Sequence, residues 1–438
     1  MPTRVRTSLA VVAASSLLAA CSGGDGGGGV EPANRAPTIA LQFSKIGVVR
    51  NTSVQLSVNV NDLDDDPLTV TWAVTRGAIT SLNAANTLVR WDTPATVGVD
   101  SVTVEVSDGT ATRDVAIEIK VGRPFNGSDA PPVFLKSESP YIVTVTGSPP
   151  RLIVNSGATQ IEAGVEILLE TANTVIDVTD SLIAIGTLAD PIVIRPNLRN
   201  LTCSDDRGWW EGIKVATDVN VDGYIELDYA EIWYGRFAVR LRDQGSAVIR
   251  NSTIRCSGQN GVLHEGGGIL VIEDTEVSNG AFDGIAVESL TFFPDSILIR
   301  GCDITLNGRT GLALDLDDQA QVVPIIVEYS NIHLNGEHGI TLRNAVFPSV
   351  HYNRFFGNGI GSTSGLNHIW LFSGYPTGPP VATLDAACNF WGAPVADVAT
   401  IESAIRDSQD TGTVGTDVVV APWSNENPLL TTSTCVLP

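Results

Sequence analysis

The sequence predicts an all-β protein in which a long solenoid of stacked coils follows a small β-sandwich. A hydrophobic pattern recurs six times from residue 225 onward, at intervals of 22 to 28 residues, and such a period indicates a solenoid. Within each copy, Ile and Val alternate at a spacing of two and are interrupted by Asn and Gly, which is typical of strands and turns. An N-terminal segment contains short alternating strands separated by turn residues, which predicts a sandwich.

The repeat defines three sets of equivalent positions. The pivot positions are Ile232, Ile254, Val277, Ile304, Ile332 and Phe355; five residues earlier lie Leu227, Ile249, Ile272, Ile299, Val327 and Val350. Two residues before each pivot lies a small or polar residue: Ala230, Ser252, Thr275, Cys302, Ser330 and Asn353. Coils stacked about 4.8 Å apart would align each set as one column of a parallel β-helix. We therefore expect Cys302 to be a buried, inert thiol, and the Asn-Gly pairs at 279, 307, 335 and 358 to form an amide ladder.

Residues 1–21 read as a signal peptide, with a basic start and a short apolar stretch. The final Leu18-Ala19-Ala20-Cys21 resembles a bacterial lipobox, which implies lipidation of Cys21 and an outer-membrane anchor that faces the cell surface or the periplasm. The alternative is an ordinary secretory signal with a Cys near its cleavage site. Residues 22–35 are Gly-rich and predict a flexible tether.

Residues 36–121 form the predicted sandwich. The segment from Asn61 to Trp72, together with Val106-Ser107-Asp108-Gly109, resembles Ig-like modules of the PKD and cadherin-like group, which implies a spacer or binding unit. Four carboxylates, Asp62, Asp64, Asp65 and Asp66, lie in one loop and form a candidate Ca²⁺ site; the alternative is a solvated acidic turn. Residues 122–140 contain four prolines and predict a linker.

Residues 141–438 form the predicted solenoid with a C-terminal cap, for which we expect a helix over 395–408. Ile183 to Ile194, the Trp210-Glu211-Gly212-Ile213 element and the closing Asn389-Phe390-Trp391-Gly392 resemble bacterial right-handed parallel β-helix proteins of the pectin-lyase-like type. That family contains lyases, hydrolases, epimerases and adhesins, so the resemblance implies the fold and leaves the activity open. We also expect two disulfides, Cys388–Cys435 and Cys203–Cys256.

One outward row of the solenoid is the candidate site. Glu265, Glu288, Asp315 and Arg343 should point outward from successive coils, with Asp317 and Asp318 beside them. Glu288 and Asp315 are the candidate catalytic pair, because carboxylates of retaining glycosidases lie about 5 Å apart. Glu265 and Arg343 are candidate substrate contacts, and the same row could bind Ca²⁺. Trp209 and Tyr234 are candidate exposed aromatics for sugar stacking. A solvated charged face is the alternative.

The function remains open among three hypotheses. The first is a lipid-anchored surface protein that binds polysaccharide without cleaving it. The second is a polysaccharide lyase or glycoside hydrolase, although the motif sets of polygalacturonases and pectate lyases are not evident. The third is a structural or adhesive rod. A formal net charge of −23 argues against a nucleic-acid partner, and the membrane is expected to contact only the lipid anchor.

Overall fold

The computed structural model describes residues 33–216, 222–289, 293–316, 323–343, 347–359, 367–371, 382–392, 401–407 and 416–420. The predicted signal peptide with Cys21, most of the tether, Asp317, Asp318, Cys435 and most of the predicted C-terminal helix lie outside these residues. Within them, no helix has the length and apolar composition needed to cross a membrane.

The N-terminal unit is an Ig-like sandwich of eight strands. They are β1 (Thr38–Gln42), β2 (Gly47–Val49), β3 (Ser53–Asn61), β4 (Thr69–Val74), β5 (Ala78–Ser81), β6 (Leu88–Asp92), β7 (Gly98–Ser107) and β8 (Thr112–Phe125). One antiparallel sheet has the order β1-β3-β6-β5, and the other contains β4, β7 and β8 with β2 at its edge. The alternating apolar residues predicted from the sequence form the core between the sheets, with Trp91 and Leu56 fully buried.

The remaining strands build the solenoid. In chain order they are β9 (Val133–Phe134), β10 (Tyr141–Val143), β11 (Arg151–Val154), β12 (Ala158–Ile161), β13 (Glu166–Leu169), β14 (Val175–Val178), β15 (Ser181–Ile185), β16 (Ile192–Pro196), β17 (Gly212–Val215), β18 (Tyr224–Asp228), β19 (Ala230–Trp233), β20 (Val239–Leu241), β21 (Ser246–Arg250), β22 (Thr253–Arg255), β23 (Val262–His264), β24 (Ile269–Glu273), β25 (Glu276–Ser278), β26 (Ile285–Ser289), β27 (Ser296–Arg300), β28 (Asp303–Thr305), β29 (Thr310–Leu316), β30 (Ile325–Glu328), β31 (Asn331–His333), β32 (His338–Arg343), β33 (Ser349–His351), β34 (Arg354–Phe356), β35 (Asn367–Leu371), β36 (Ala382–Asp385), β37 (Ile405–Arg406) and β38 (Thr416–Val419). A 3-10 turn, η1, spans Lys136–Glu138.

Each coil contributes one strand to each of three parallel sheets. Sheet 1 contains every third strand from β9 to β33, sheet 2 contains every third strand from β10 to β34, and sheet 3 contains every third strand from β11 to β35 followed by β37. A parallel pair needs a long connection between its strands, and here that connection is the rest of the coil. The all-β, parallel β-helix prediction is therefore confirmed.

The sequence columns coincide with the observed register. Ile232 pairs with Ile254, Ile254 with Val277, and the column continues through Ile304 and Ile332 to Phe355 in sheet 2. The column that begins at Leu227 aligns in the same way in sheet 1. Both columns are fully buried and belong to one continuous core. At about 25 cal/mol per Å² of buried apolar surface, this stacking is the main favourable term in rod stability.

Two internal polar columns satisfy backbone groups along the rod. In the first, the Ser330 hydroxyl accepts the Cys302 N–H at 3.2 Å, and Asn353 Oδ1 accepts the Ser330 N–H at 2.9 Å. The second is the amide ladder, in which Asn335 Oδ1 accepts from Asn307 and Asn358 Oδ1 accepts from Asn335. The prediction that Asn279 belongs to the ladder is wrong. Asn279 lies one residue out of register at a φ of 58°, and the Gly280 N–H donates to Asn307 Oδ1 in its place.

The sandwich joins the rod directly. The segment predicted as a linker contains the end of β8, the strand β9 and the turn η1. β8 pairs in parallel with β10, so sheet 2 continues into the Ig-like unit. Asn197 from the rod is 2% exposed and accepts the Gly47 N–H at 2.7 Å while donating to the Gly47 carbonyl at 2.8 Å. The sandwich thus covers the edge that β10 would otherwise expose.

Candidate functional site

The outward face of sheet 3 contains a groove whose floor is a row of uncharged side chains. Leu263, Ala286, Ala313 and Thr341 occupy equivalent positions on four successive coils. The row begins after Arg240 and ends before Trp370, so larger side chains bound it at both ends. At about 4.8 Å per coil, the four floor residues span about 14 Å.

The groove contains two adjoining cavities that share Asp283, Glu288 and Arg309. The first, of about 120 Å³, lies over Ala313 and Thr341. The second, of about 290 Å³, lies over Leu263 and includes Phe282, which is 40% exposed. The two cavities combine carboxylates, guanidinium groups and an aromatic ring beside uncharged floor residues. Polar groups beside apolar surface are typical of carbohydrate and other small-molecule sites.

One wall of the groove is the predicted outward row. Glu288 pairs in register with Asp315, and Asp315 with Arg343. Glu265 follows β23 and extends the row by one coil; the Arg240 side chain contacts it through Nε and Nη2. The structure therefore places all four predicted residues of this row along one side of the groove.

The opposite wall comes from the turns that precede the sheet 3 strands. Asp283 is 6% exposed and accepts the Thr310 N–H at 3.0 Å. The Arg309 guanidinium lies 4.0 Å from the Asp283 carboxylate and 3.5 Å from the Glu337 carboxylate. Its Cζ lies 5.7 Å from the centre of the Phe282 ring. The two walls thus bring five carboxylates and three arginines around one floor.

Crowding of like charges perturbs two carboxyl groups. Partial desolvation raises the pKa of Glu288, and the neighbouring Glu265, Asp283 and Asp315 carboxylates raise it further. Burial raises the pKa of Asp283, against the opposing effect of Arg309. Raised carboxyl pKa values in a groove mark candidates for proton donation or for cation binding.

The two predicted aromatic platforms are not in the groove. Tyr234 is only 5% exposed, and its hydroxyl donates to the Leu201 carbonyl at 2.9 Å. It takes a left-handed conformation, φ 64°, at a corner of the coil, which turns the ring toward the core. Trp209 is partly buried and packs against the same core. The exposed aromatic in the groove is Phe282 instead.

Asp283, Arg309 and Phe282 were not predicted as site residues, although the sequence contains a signal for Asp283. A polar residue, a Gly and an aliphatic residue recur in Asn260-Gly261-Val262, Asp283-Gly284-Ile285, Thr310-Gly311-Leu312 and His338-Gly339-Ile340. All four polar residues are buried. The glycine is required because a Cβ at Gly284 would lie 2.8 Å from the Gly311 carbonyl oxygen. This triplet marks the start of β23, β26, β29 and β32 and therefore the second wall.

The Asp cluster of the sandwich brings together three of its four predicted residues. Ligand atoms of Asp62, Asp64 and Asp66 lie within 4.8 Å of one another, whereas Asp65 is not part of this group. Asp62 is 9% exposed; its Oδ1 accepts the Asp64 N–H at 2.7 Å and its Oδ2 is buried without a hydrogen-bond partner among the described residues. Carboxylates around a turn are the ligands that Ca²⁺ prefers, so these three residues fit the predicted ion.

The described cysteines are either disulfide-bonded or buried in the core as a free thiol. Cys203 and Cys256 form a disulfide, the pair expected from the sequence. It ties the loop after β16 to the corner after β22. Cys302 is free and buried in the small-residue column, where burial raises the pKa of its thiol to about 12. Cys388 is disulfide-bonded, but Cys435 lies outside the described residues.

The fold defines a right-handed parallel β-helix protein with an N-terminal Ig-like module. Residues 219–373 match the family model described as "right handed beta helix region", and residues 34–120 match the model described as "bacterial Ig domain". No curated protein and no solved structure matches the chain. The two matched domains suggest a surface protein of this fold family.

Proposed function

We propose that the protein is a lipid-anchored bacterial surface protein whose sheet 3 groove binds a polysaccharide. One observation supports this most strongly. The register places four uncharged side chains in line between two polar walls with an exposed aromatic ring beside them. A glycan has alternating polar edges and apolar ring faces, so hydroxyl groups can pair with the walls while a ring lies over Ala313 or Phe282.

Blocking the floor tests this proposal. Ala313→Trp fills the cavity beside Glu288, and Ala116→Trp is a matched control on an exposed position of β8. A glycan array with the full chain should identify the ligand, and A313W should abolish that binding while A116W retains it. Equal binding by both variants would exclude the groove. A chain that binds no glycan in the array would instead favour the adhesive or structural rod.

A second candidate function is glycoside hydrolysis or polysaccharide cleavage in the same groove. It is favoured by Glu288, a carboxyl with a raised pKa one coil from Asp315. Glycosidases use such a pair, one group as acid and the other as base or nucleophile. Release of new reducing ends from the array ligand, lost in both Glu288→Gln and Asp315→Asn, would support cleavage. Unchanged glycan chain length would support binding alone.

The anchor and the ion are part of the proposal. The Leu18-Ala19-Ala20-Cys21 sequence supports lipidation, and incorporation of labelled palmitate by wild type but not by Cys21→Ala would test it. The Asp62, Asp64 and Asp66 cluster supports Ca²⁺ binding in the sandwich. The groove lacks such a cluster among the described residues, so the predicted Ca²⁺ is assigned to the sandwich.

A further inference from the structure

We infer that the glycan bound by the groove carries free amino groups, and that Glu288 is the residue that binds them. This inference rests on the proposed glycan-binding function and adds the chemical class of the ligand. It depends on how the charges of the groove are distributed among its walls.

Each arginine of the groove already has a carboxylate partner. Arg240 makes a two-bond contact with Glu265. Arg309 lies between Asp283 and Glu337, and Arg343 lies 3.8 Å from Asp315. A ligand carboxylate would therefore compete with the protein's own carboxylates for these guanidinium groups. The arrangement disfavours uronate polymers.

Glu288 is the exception among the groove carboxylates. In the described part of the chain it accepts no hydrogen bond and makes no ion pair, although it lies between the coils of Glu265 and Asp315. Its side chain is exposed and lines both cavities. Partial desolvation raises its pKa, the three neighbouring carboxylates raise it further, and Arg240 lowers it. The groups that act on Glu288 therefore carry more negative than positive charge.

A metal ion is a weaker candidate than an ammonium group for the cation that binds Glu288. Multidentate sites need several carboxylate oxygens close together. The cluster of Asp62, Asp64 and Asp66 meets this condition within 4.8 Å, and no trio of groove residues in the described ranges does. A single ammonium group needs only one carboxylate and its hydrogen-bond acceptors, so it matches the spacing that the coils impose.

The floor allows the ammonium group to approach. Ala313, the floor residue of the coil that carries Asp315, lines the first cavity together with Glu288 and does not extend beyond Cβ. A sugar ring over Ala313 can thus direct a ring substituent toward Glu288. Hydroxyl groups of the same ring can donate to Asp315 or to the buried Asp283 on the opposite wall.

Three matched oligosaccharides test the inference by calorimetry with the full chain: a glucosamine tetramer, its fully N-acetylated form and a galacturonate tetramer. A hydrogen bond to a charged group contributes about 1.5–3 kcal/mol, so the glucosamine tetramer should bind about 10- to 100-fold more tightly than the acetylated form. Glu288→Gln should remove most of this preference. Glu105→Gln, an exposed position of the sandwich with the same change in charge, should retain the preference.

The outcomes separate the two proposals. Tighter binding of the acetylated or galacturonate tetramer would overturn the amino-sugar inference and leave glycan binding intact. Equal preference in E288Q and E105Q would overturn the role of Glu288. Absence of binding to all three tetramers and to the glycan array would overturn both proposals. A polylysine peptide that binds more tightly than the glucosamine tetramer would show that the groove recognises cationic peptides, which also overturns the inference.

Discussion

The amide ladder gives the most direct test of how the coils stabilise one another. Asn335 is fully buried. Its Oδ1 accepts the Asn307 N–H at 3.1 Å, and its Nδ2 donates to the Ile304 carbonyl at 3.1 Å. Asn335→Ala removes both partners and leaves two buried backbone groups without hydrogen bonds.

The expected cost follows from those two groups. A buried donor or acceptor left unpaired costs about 1–3 kcal/mol, so Asn335→Ala should lower the free energy of unfolding by about 2–6 kcal/mol. Asn331→Ala is the control on the same coil, because the Asn331 side chain makes a single hydrogen bond, to Asp303 at the surface of the rod. Its expected loss is below about 1.5 kcal/mol.

Urea denaturation followed by circular dichroism measures both values. Hydrogen exchange should also show faster exchange of the Asn307 amide in the Asn335→Ala variant. An Asn335→Ala loss below about 1 kcal/mol, or one equal to that of Asn331→Ala, would refute the view that the ladder stabilises the stack.

Three further predictions follow from the same structure. Burial lowers the pKa of His264, His338 and His368 to about 4. As the pH falls, the unfolded state therefore binds protons before the folded state does, and the free energy of unfolding should fall between about pH 6.5 and 4. Urea midpoints measured across this range should fall less in His264→Leu than in wild type. Ca²⁺ should raise the melting temperature of wild type and Asp65→Asn but not of Asp66→Asn, and equal shifts in the two variants would exclude the Asp62 cluster. Asn197→Ala should speed hydrogen exchange at Ile46 and Gly47, whose amides donate to it; unchanged exchange would show that the sandwich is fixed to the rod by other contacts.

The sequence predicted the rod well because stacking converts periodicity into register. Ile232 through Phe355 align as the repeat required, and Cys302 is buried because every member of its column points into the rod. The outward row from Glu265 to Arg343 followed from the same rule, since neighbours in a strand alternate faces. These are properties of strands, where the direction of a side chain depends only on its position.

The turns could not be predicted in the same way. Asn279 fits the Asn-Gly pattern, but it lies two residues after its pivot, whereas the ladder residues lie three residues after theirs. It therefore takes the positive-φ corner position that Leu306 and Leu334 occupy in the next two coils. Tyr234 occupies a similar corner, so counting along the strand gives the wrong face. The wall formed by Asp283 and Arg309 comes entirely from turns, whose side-chain directions depend on local φ and ψ. The Pro-rich segment after residue 121 contains strand pairing that only a tertiary partner, β12, makes possible.

Locating the bound glycan by hydrogen exchange tests most directly the claim that the sheet 3 groove binds it. Hydrogen exchange of the full chain should be compared with and without the saturating array ligand. If the glycan binds in the groove, the turns that contain Asp283 and Arg309 should be protected, and exchange on sheet 1 and in the sandwich should not change. Protection confined to sheet 1 or to the sandwich, with the Asp283 and Arg309 turns unchanged, would contradict it.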